Sequence, residues 1–347
     1  MRFYTKPHKH YCGIDLHART MFVCILDAQG NKLLERNIPT DPTELLRLIA
    51  PFRDELVVVA VECVFCWYWL ADLCAAEGIA FVLGHALYMR AIHGAKAKND
   101  RIDAFKIASL LRGGNMPESY VYPARMRATR DLLRRRLYLV RERGFLLAHI
   151  QNTHHQNNLS TPKKRLASRS NRAGVAERFV DAAVQKTVAV DLQCVENLDT
   201  VITDLELHLT RSTKEHDANS FYLLRSIPGV GKVLAMTILY EVHDVARFPT
   251  VQDFASYARL IRCVRESAGK RSGTSGSKIG NAHLKWAISE AAVLMLRHGD
   301  IDKLRNRLLR KHGKGKAMGV LTHKLGRTIY YMLLRRKPFD MERFLAA

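Results

Sequence analysis

Tyr11-Cys12-Gly13-Ile14-Asp15-Leu16-His17, followed by Thr20-Met21-Phe22-Val23-Cys24-Ile25-Leu26, decides the fold. The first run reads as a buried strand that leaves one carboxylate, Asp15, near its middle. A lone Asp in an apolar strand is costly unless something pairs with it. The second run reads as another strand. Asp27-Ala28-Gln29-Gly30-Asn31-Lys32 is a hairpin turn signal, because Gly and Asn tolerate positive φ. Leu33-Leu34-Glu35-Arg36-Asn37-Ile38 then returns as a third strand.

Thr40-Asp41-Pro42-Thr43-Glu44 opens a helix with a polar cap and an acid in its first turn. A strand at 55–62, a helix at 67–78, a strand at 79–83 and a helix at 104–111 follow. The order is a three-stranded meander, then alternating helix and strand. It suits an α/β domain of the ribonuclease H or RuvC type better than a doubly wound sheet, because no helix separates the first three strands.

Partners for Asp15 lie downstream. Val57-Val58-Val59-Ala60-Val61-Glu62 is an apolar strand ending in a carboxylate, and Lys98-Asn99-Asp100-Arg101-Ile102-Asp103 supplies two more. The i, i+3 spacing of Asp100 and Asp103 puts them on one helical face. Taken singly, each acid is an ordinary ion-pair partner or cap. As a set, Asp15, Glu62, Asp100 and Asp103 could bind divalent metal for phosphoryl chemistry, which needs carboxylates bridging ions ~3.5–4 Å apart.

The 347 residues allow two or three domains. Lys and Arg number 55 against 33 Asp and Glu, for a net charge of +22. That excess points to a polyanionic partner, nucleic acid above all. No apolar run reaches the ~18–20 residues that span a bilayer. The first ten residues lack the apolar core of a signal peptide. Seven cysteines in a long chain do not form a secreted disulfide framework. The expectation is a cytoplasmic protein with reduced thiols. Cys63-x-x-Cys66 has no second pair at zinc spacing and reads as buried thiols. His154-His155 read as polar surface, and Trp67, Tyr68 and Trp69 as core.

Residues 124–172 carry thirteen Lys and Arg, Arg134 and Arg135 among them, against Asp131 and Glu142. Leu133, Leu137, Val140, Leu147 and Ile150 recur at helical spacing, which predicts a long amphipathic helix over 128–151. Residues 157–171 read as a loop. Leu192, Val195, Leu198, Ile202, Leu205 and Leu209 mark a second long helix over 175–209. The pair reads as an antiparallel hairpin, either a coiled-coil linker or dimerisation arm or a plain helical spacer with a solvated basic face.

Beyond it, Ile227-Pro228-Gly229-Val230-Gly231-Lys232 joins two helices. It resembles a helix-hairpin-helix turn, whose backbone N–H groups can hold a DNA phosphate; a simple connector is the alternative. Residues 303–337 hold twelve Lys and Arg and no acid, a helical nucleic-acid face. Between them, residues 265–281 are rich in Ser, Gly and Lys. Taken alone such a run is a flexible loop, but its amides and its cations, Lys270 and Lys278, could surround a phosphate. A serine there could attack phosphorus if its proton is removed. Ser267, Ser272, Ser275 and Ser277 compete for that role.

At these residues the chain resembles the DEDD transposases of bacterial insertion sequences, also described as bridge-RNA-guided recombinases. Gly13-Ile14-Asp15-Leu16-His17, Val61-Glu62 and Asn99-Asp100-Arg101-Ile102-Asp103-Ala104 resemble the family's RuvC-like motifs. Ile227-Pro228-Gly229-Val230-Gly231, Phe248 and Ser277-Lys278-Ile279-Gly280-Asn281-Ala282-His283-Leu284-Lys285 resemble its C-terminal transposase domain. The resemblance implies that Asp15, Glu62, Asp100 and Asp103 bind Mg2+ (or Mn2+). It implies a nucleophilic serine about ten residues before the Ser of the Ser-Lys-x-Gly motif; counting back from Ser277 gives Ser267. The family's Ser-Gly is Ser267-Ala268-Gly269 here, which keeps Ser272 and Ser275 as weaker candidates.

The resemblance further implies donor and target DNA as partners, a guide RNA that pairs with both, and a homo-oligomer, dimer or tetramer. In the family, the acids of one subunit complete a site with the serine of another. The expected domains are a RuvC-like catalytic domain at 8–123, a helical arm at 124–215 and a transposase domain at 216–347. Gly229, Gly231, Lys232, Lys270, Lys278, Arg134 and Arg135 are the expected nucleic-acid contacts. A metal-dependent, structure-selective endonuclease and a non-catalytic nucleic-acid-binding protein are the alternatives.

Overall fold

The computed structural model describes residues 2–55, 57–92, 99–162, 164–261, 263–275 and 279–346. The chain forms two compact units, Met1–Ala124 and Arg125–Ala347.

The first unit begins with a short strand, β1 (Phe3–Tyr4). Then come β2 (His10–Leu16), β3 (Thr20–Asp27), β4 (Lys32–Pro39), helix α1 (Pro42–Ile49), β5 (Val57–Glu62), α2 (Tyr68–Ala76), β6 (Ala80–Gly84), α3 (Ala86–Ile92), α4 (Asp100–Arg112) and β7 (Met116–Pro117). The five-stranded sheet runs β4-β3-β2-β5-β6. Strands β2, β3 and β4 form the expected antiparallel meander. Strands β5 and β6 add in parallel on the other side of β2. The β1–β7 pairing is an addition that the sequence pattern does not announce.

Both faces of β2 are covered, so its residues are nearly all buried. Cys12, Ile14 and Leu16 face a core completed by Leu45 and Ile49 of α1 and Leu70, Ala71 and Cys74 of α2. The opposite face lies under α4. There Tyr11, Val58 and Ala60 meet Ile107, Leu110 and Leu111, and Cys24 and Leu26 meet Ala104 and Ala108. A Cβ added at Gly13 would stand under 3.0 Å from the backbone of Ala104 and Ala108. Glycine therefore lets α4 rest directly on the strand. Edge strand β4 is largely exposed and charged, which discourages further pairing.

The second unit is helical apart from one hairpin. Helix α5 (Ala124–Gln156) extends past both ends of the expected helix. Helix α6 (Ala182–Arg225) starts later than expected. Residues Ala176–Arg178 form a 3-10 turn first, and Asp181 then caps the helix by accepting from the N–H groups of Ala183 and Val184. Helix α6 breaks at Asp217, whose φ of −160° is non-helical. The two helices run antiparallel. Arg136 pairs with Glu206, Arg143 with Asp199 at 2.6 Å, and His149 with Asp191 at 2.6 Å. Val188, Val195, Ile202 and Leu209 are buried at seven-residue intervals along α6, the repeat of a helix seam.

His154 is fully buried rather than on the surface. It packs edge-on against Phe179 at 4.7 Å in the small core at the hairpin's end. Its Nδ1 lies 2.8 Å from the Ile150 carbonyl. Nor are the Cys63-x-x-Cys66 thiols both buried: Cys63 is exposed and Cys66 half-buried, since the chain leaves the sheet at Glu62. Trp67 is buried, and Tyr68 and Trp69 pack partly buried against the same core.

Helix α7 (Lys232–Val242) is buried along all of Leu234–Val242, so it is the central helix of this unit. Helices α8 (Val251–Tyr257), α9 (Ala282–Met295) and α10 (Asp302–Arg335) pack around it, and α11 (Met341–Ala346) ends the chain. Strands β8 (Cys263–Ser267) and β9 (Lys270–Ser275) form a hairpin where the sequence reads as a loop.

One buried carboxylate ties three helices together. Glu241 of α7 accepts from Arg130 and Arg134 of α5 at 2.7–3.0 Å and from Asn281 Nδ2 at 2.7 Å. Asn281 Oδ1 in turn caps α9 by accepting from the Leu284 N–H. Burial alone would raise the Glu241 pKa. The Arg134 hydrogen bond, the charges of Arg130 and Arg134, and Asn281 instead hold it at about 2.

Two outcomes follow. Gly13→Ala should cost about 3 kcal/mol or more in denaturant unfolding, because backbone must move to admit the methyl group. Glu241 has a folded pKa below its unfolded value, so its contribution is complete above about pH 4.5 and lost as pH falls towards about 2. Denaturant melts at pH 6 and pH 3 should therefore differ by an acid loss that is measurably smaller in Glu241→Gln, the remainder belonging to other carboxylates held low, such as Asp199.

Candidate active site

Strand β2 fixes Asp15, and the close approach at Gly13 fixes what stands over it. Asp15 lies two residues past Gly13 and so on the same face of the strand. Asp100 lies one helical turn before Ala104. Asn99 begins α4 by accepting from the Ile102 N–H at 2.8 Å, which places Asp100 in the first turn. His17, just past the end of β2, reaches back. Its Nε2 is 3.3 Å from Asp15 Oδ2 and 3.7 Å from Asp100 Oδ1. Ligand atoms of Asp15, His17 and Asp100 all lie within 4.8 Å of one another.

Asp15 is 18% exposed, Asp100 54% and His17 52%. Burial pushes the Asp15 pKa up, His17 opposes this, and the charges of Asp100 and Asp103 add to the rise. The carboxylates therefore stand close enough to repel, an arrangement that a cation relieves. Two carboxylates and an imidazole form a donor set that fits Mg2+ and suits Mn2+ better, since imidazole is the softer ligand.

The other two acids stand nearby. Asp103 is half-buried and paired with Lys106 at 3.1 Å. Glu62 ends β5, one residue beyond the Ile14–Val61 pair, so it occupies the strand position beside Asp15. Among the described residues the compact group is Asp15, His17 and Asp100, with Asp103 and Glu62 outside it. Sequence reasoning missed His17. Its signal was the two-residue spacing from Asp15, which returns a side chain to the same side of an extended chain.

In the second unit, Ser267 ends β8 and is exposed. It pairs in register with Lys270 across a two-residue turn, with Ala268 at φ 50° and Gly269 at φ 73°. Two successive positive φ values are the pattern of a tight hairpin turn. The departure from Ser-Gly thus keeps the glycine at the second turn position. Ser272 and Ser275 belong to strand β9. Ser277 and Lys278 lie outside the described residues, as does Lys98.

The expected nucleic-acid contacts divide. Gly229, at φ 83°, packs so closely that a Cβ would meet Leu294 and Met295 at 2.9 Å. Gly231 begins α7 with open space beside it, and Lys232 follows, exposed. Lys270 is exposed. Arg134 is turned inward onto Glu241, whereas neighbouring Arg135 is exposed and stacks over Tyr138 at 4.8 Å. No helix among the described residues is long and apolar enough to cross a membrane.

A transposase family model of the DEDD, IS110 type matches residues 12–156. A second, described as transposase IS116/IS110/IS902 family, matches residues 222–308. Together they span about two thirds of the chain. The transposase for insertion sequence element IS1111A of Coxiella burnetii is 26% identical over 255 residues, covering 70% of this chain and 68% of that protein. A transposase designated y4qE of Sinorhizobium fredii is 26% identical over 202 residues, covering 57% of this chain and 48% of that one. Matches in both units of one chain define a DEDD transposase. The chain belongs to the IS116/IS110/IS902 family of transposases.

Asp15→Asn and Asp100→Asn should each weaken Mn2+ binding, read by calorimetry, by at least about tenfold, and His17→Ala by a similar factor. Binding by Asp100→Asn as tight as that of the unaltered protein would separate Asp100 from the ion site.

Proposed function

We propose that the chain moves an insertion sequence by strand exchange in which Ser267 is the nucleophile and Asp15, Glu62, Asp100 and Asp103 hold a divalent ion, with a guide RNA selecting donor and target DNA. The first domain is then of the ribonuclease H or RuvC type, α5 and α6 form a coiled-coil arm, and the turn at Gly229–Gly231 is a helix-hairpin-helix-like phosphate contact. The observation that carries the reading is the meeting of Asp15 and Asp100, from sequence positions far apart, at one end of the sheet. The break at Asp217 supports a boundary between the arm and a third domain at 216–347. The break of symmetry in charge, +22 overall, supports nucleic acid as the partner.

A bound divalent ion supplies charge neutralisation at a scissile phosphate. The chain's own groups do the rest. Asp15 and Asp100 hold their oxygens in fixed places because strand and helix backbone fix them, and His17 orients both. At Ser267 the Oγ–P bond forms as a P–O bond of the DNA strand breaks, and the serine proton passes to the departing hydroxyl. Attack by the hydroxyl of another strand then restores the serine. No water is consumed, so the exchange conserves the phosphodiester.

Ser267→Ala should abolish the covalent protein–DNA adduct seen on denaturing gels and lower strand exchange by at least about 10³-fold. An undiminished adduct would show that another residue attacks. Strand cleavage that persists without any adduct would instead assign the chemistry to water, as in a RuvC-type endonuclease. Asp15→Asn should abolish both activities, and a discrete RNA should accompany the active protein through purification.

A further inference from the structure

At the C-terminal end of the second unit, α10 and α11 enclose a groove of about 830 Å³, within the ~300–1,000 Å³ range of ligand sites. Lys324, Arg327, Arg335, Lys337 and Arg343 line it. Its acid, Asp340, is already engaged: Oδ1 accepts from the Arg343 N–H at 3.0 Å and caps α11. Among the described residues, no ion pair engages Arg327, Arg335, Lys337 or Arg343. The arm arginines contrast with this, since Arg136, Arg143 and Arg172 each hold a carboxylate. Lys324 is half-buried, and burial together with the charge of Arg307 lowers its pKa. Arg327, Arg335, Lys337 and Arg343 therefore bring four positive charges to a groove whose lining holds one carboxylate, Asp340.

Its walls are aromatic as well. Tyr331 and Phe339 are half-buried, and Phe344, 2% exposed, supports Phe339 with ring centres 5.3 Å apart. Arg335 lies 4.8 Å over Tyr331, and Lys324 lies 5.0 Å over Phe344. The Phe339 N–H donates to Ser226 Oγ at 2.8 Å, which fixes that wall in place. A double helix offers phosphates but keeps its bases stacked inside. An acidic peptide would meet the cations and leave the rings without planar partners. Unpaired nucleotides supply both a phosphate and a flat base, the combination that single-strand sites use.

We propose that this groove binds unpaired nucleotides of a single-stranded nucleic acid, with phosphates on Arg335, Lys337 and Arg343 and a base against Tyr331 and Phe339. The proposal rests on the reading that the chain handles nucleic acid, and it gives that reading a place for strands that are not in duplex. The source is a guide RNA or a displaced DNA strand, which share this chemistry.

The test is fluorescence anisotropy on the full chain, with labelled RNA and DNA single strands of roughly 12 nucleotides and the matching DNA duplex. Arg335 and Arg343 are exposed, so the Arg335→Glu/Arg343→Glu double variant should fold. It should weaken single-strand binding at least about tenfold, with duplex affinity within about twofold of the unaltered protein. Phe339→Leu keeps the charge and removes the ring, and should weaken single-strand binding about fivefold or more. A response to RNA alone assigns the groove to the guide, and a response to DNA alone assigns it to a displaced strand. Unchanged single-strand binding in both variants, or a parallel loss of duplex binding, overturns the proposal. Asp15→Asn keeps the two readings apart: it should lose strand exchange yet bind single strands as the unaltered protein does.

Discussion

The contact between α4 and β2 at Gly13 is the constraint on which the acidic cluster depends. Helix and strand touch there through backbone, that of Gly13 against that of Ala104 and Ala108. Distance and register are therefore set by main chain rather than by flexible side chains. Two residues along the strand comes Asp15, and one turn back along the helix comes Asp100. Burial above all raises the Asp15 pKa, and the nearby charges of Asp100 and Asp103 add to the rise, so holding these carboxylates together is unfavourable. The fold sustains the strain because the same contact buries Ile107, Leu110 and Leu111 against the sheet. Burial of such side chains contributes about 1.5–3 kcal/mol each.

In the second unit the comparable device is Glu241. A carboxylate 2% exposed near the C-terminal end of an apolar helix would be expensive alone. Two arginines, both from α5, and an asparagine at the start of α9 satisfy it. Slippage of α5 by one turn would leave both a buried anion and misplaced cations, so the network specifies register as well as contributing stability. Asn281 links this network to the start of α9. Gly280 before it needs its positive φ of 89°, and any Cβ there would meet the Tyr257 carbonyl at 2.6 Å. The Gly280-Asn281 pair thus has a structural role inside the stretch that resembles the family motif.

Much of this was legible in the residues. Apolar alternation and the Gly30-Asn31 turn gave the meander, and the polar cap Asp41 gave the start of α1; α4 begins at Asp100, four residues before the expected 104, because Asn99 caps it. Asp15 was legible within a set of four acids, with Glu62, Asp100 and Asp103, because an acid inside an apolar strand demands a partner; that Asp100 is the one that meets it was not. Three features were not. The hairpin at Cys263–Ser275 is mostly charged residues, Ser and Gly, with Val264 its one large aliphatic residue, so it carries no hydrophobic alternation to announce a strand. Helix α6 begins seven residues late because a 3-10 turn and a capping Asp181 can be chosen only once Phe179 has a core to enter. The inward turn of Arg134 depends on Glu241, 107 positions away, and charge alone does not say which arginine faces solvent. Gly13 itself reads as an ordinary strand residue until a helix is laid across it.

The ion pairs along α5 and α6 change what the chain's positive charge means. Arg130 and Arg134 share Glu241, Arg143 and Arg172 share Asp199, and Arg136 holds Glu206, so three of these five charges are offset inside the fold. Such residues hold few condensed counterions on a partner to release. The electrolyte response of polynucleotide association reports phosphate contacts, not arginine content. Part of the arm's basic complement thus serves inside the fold, and a count of its arginines overstates the charge it can offer outward, whereas residues 303–337 carry their twelve Lys and Arg with no acid among them.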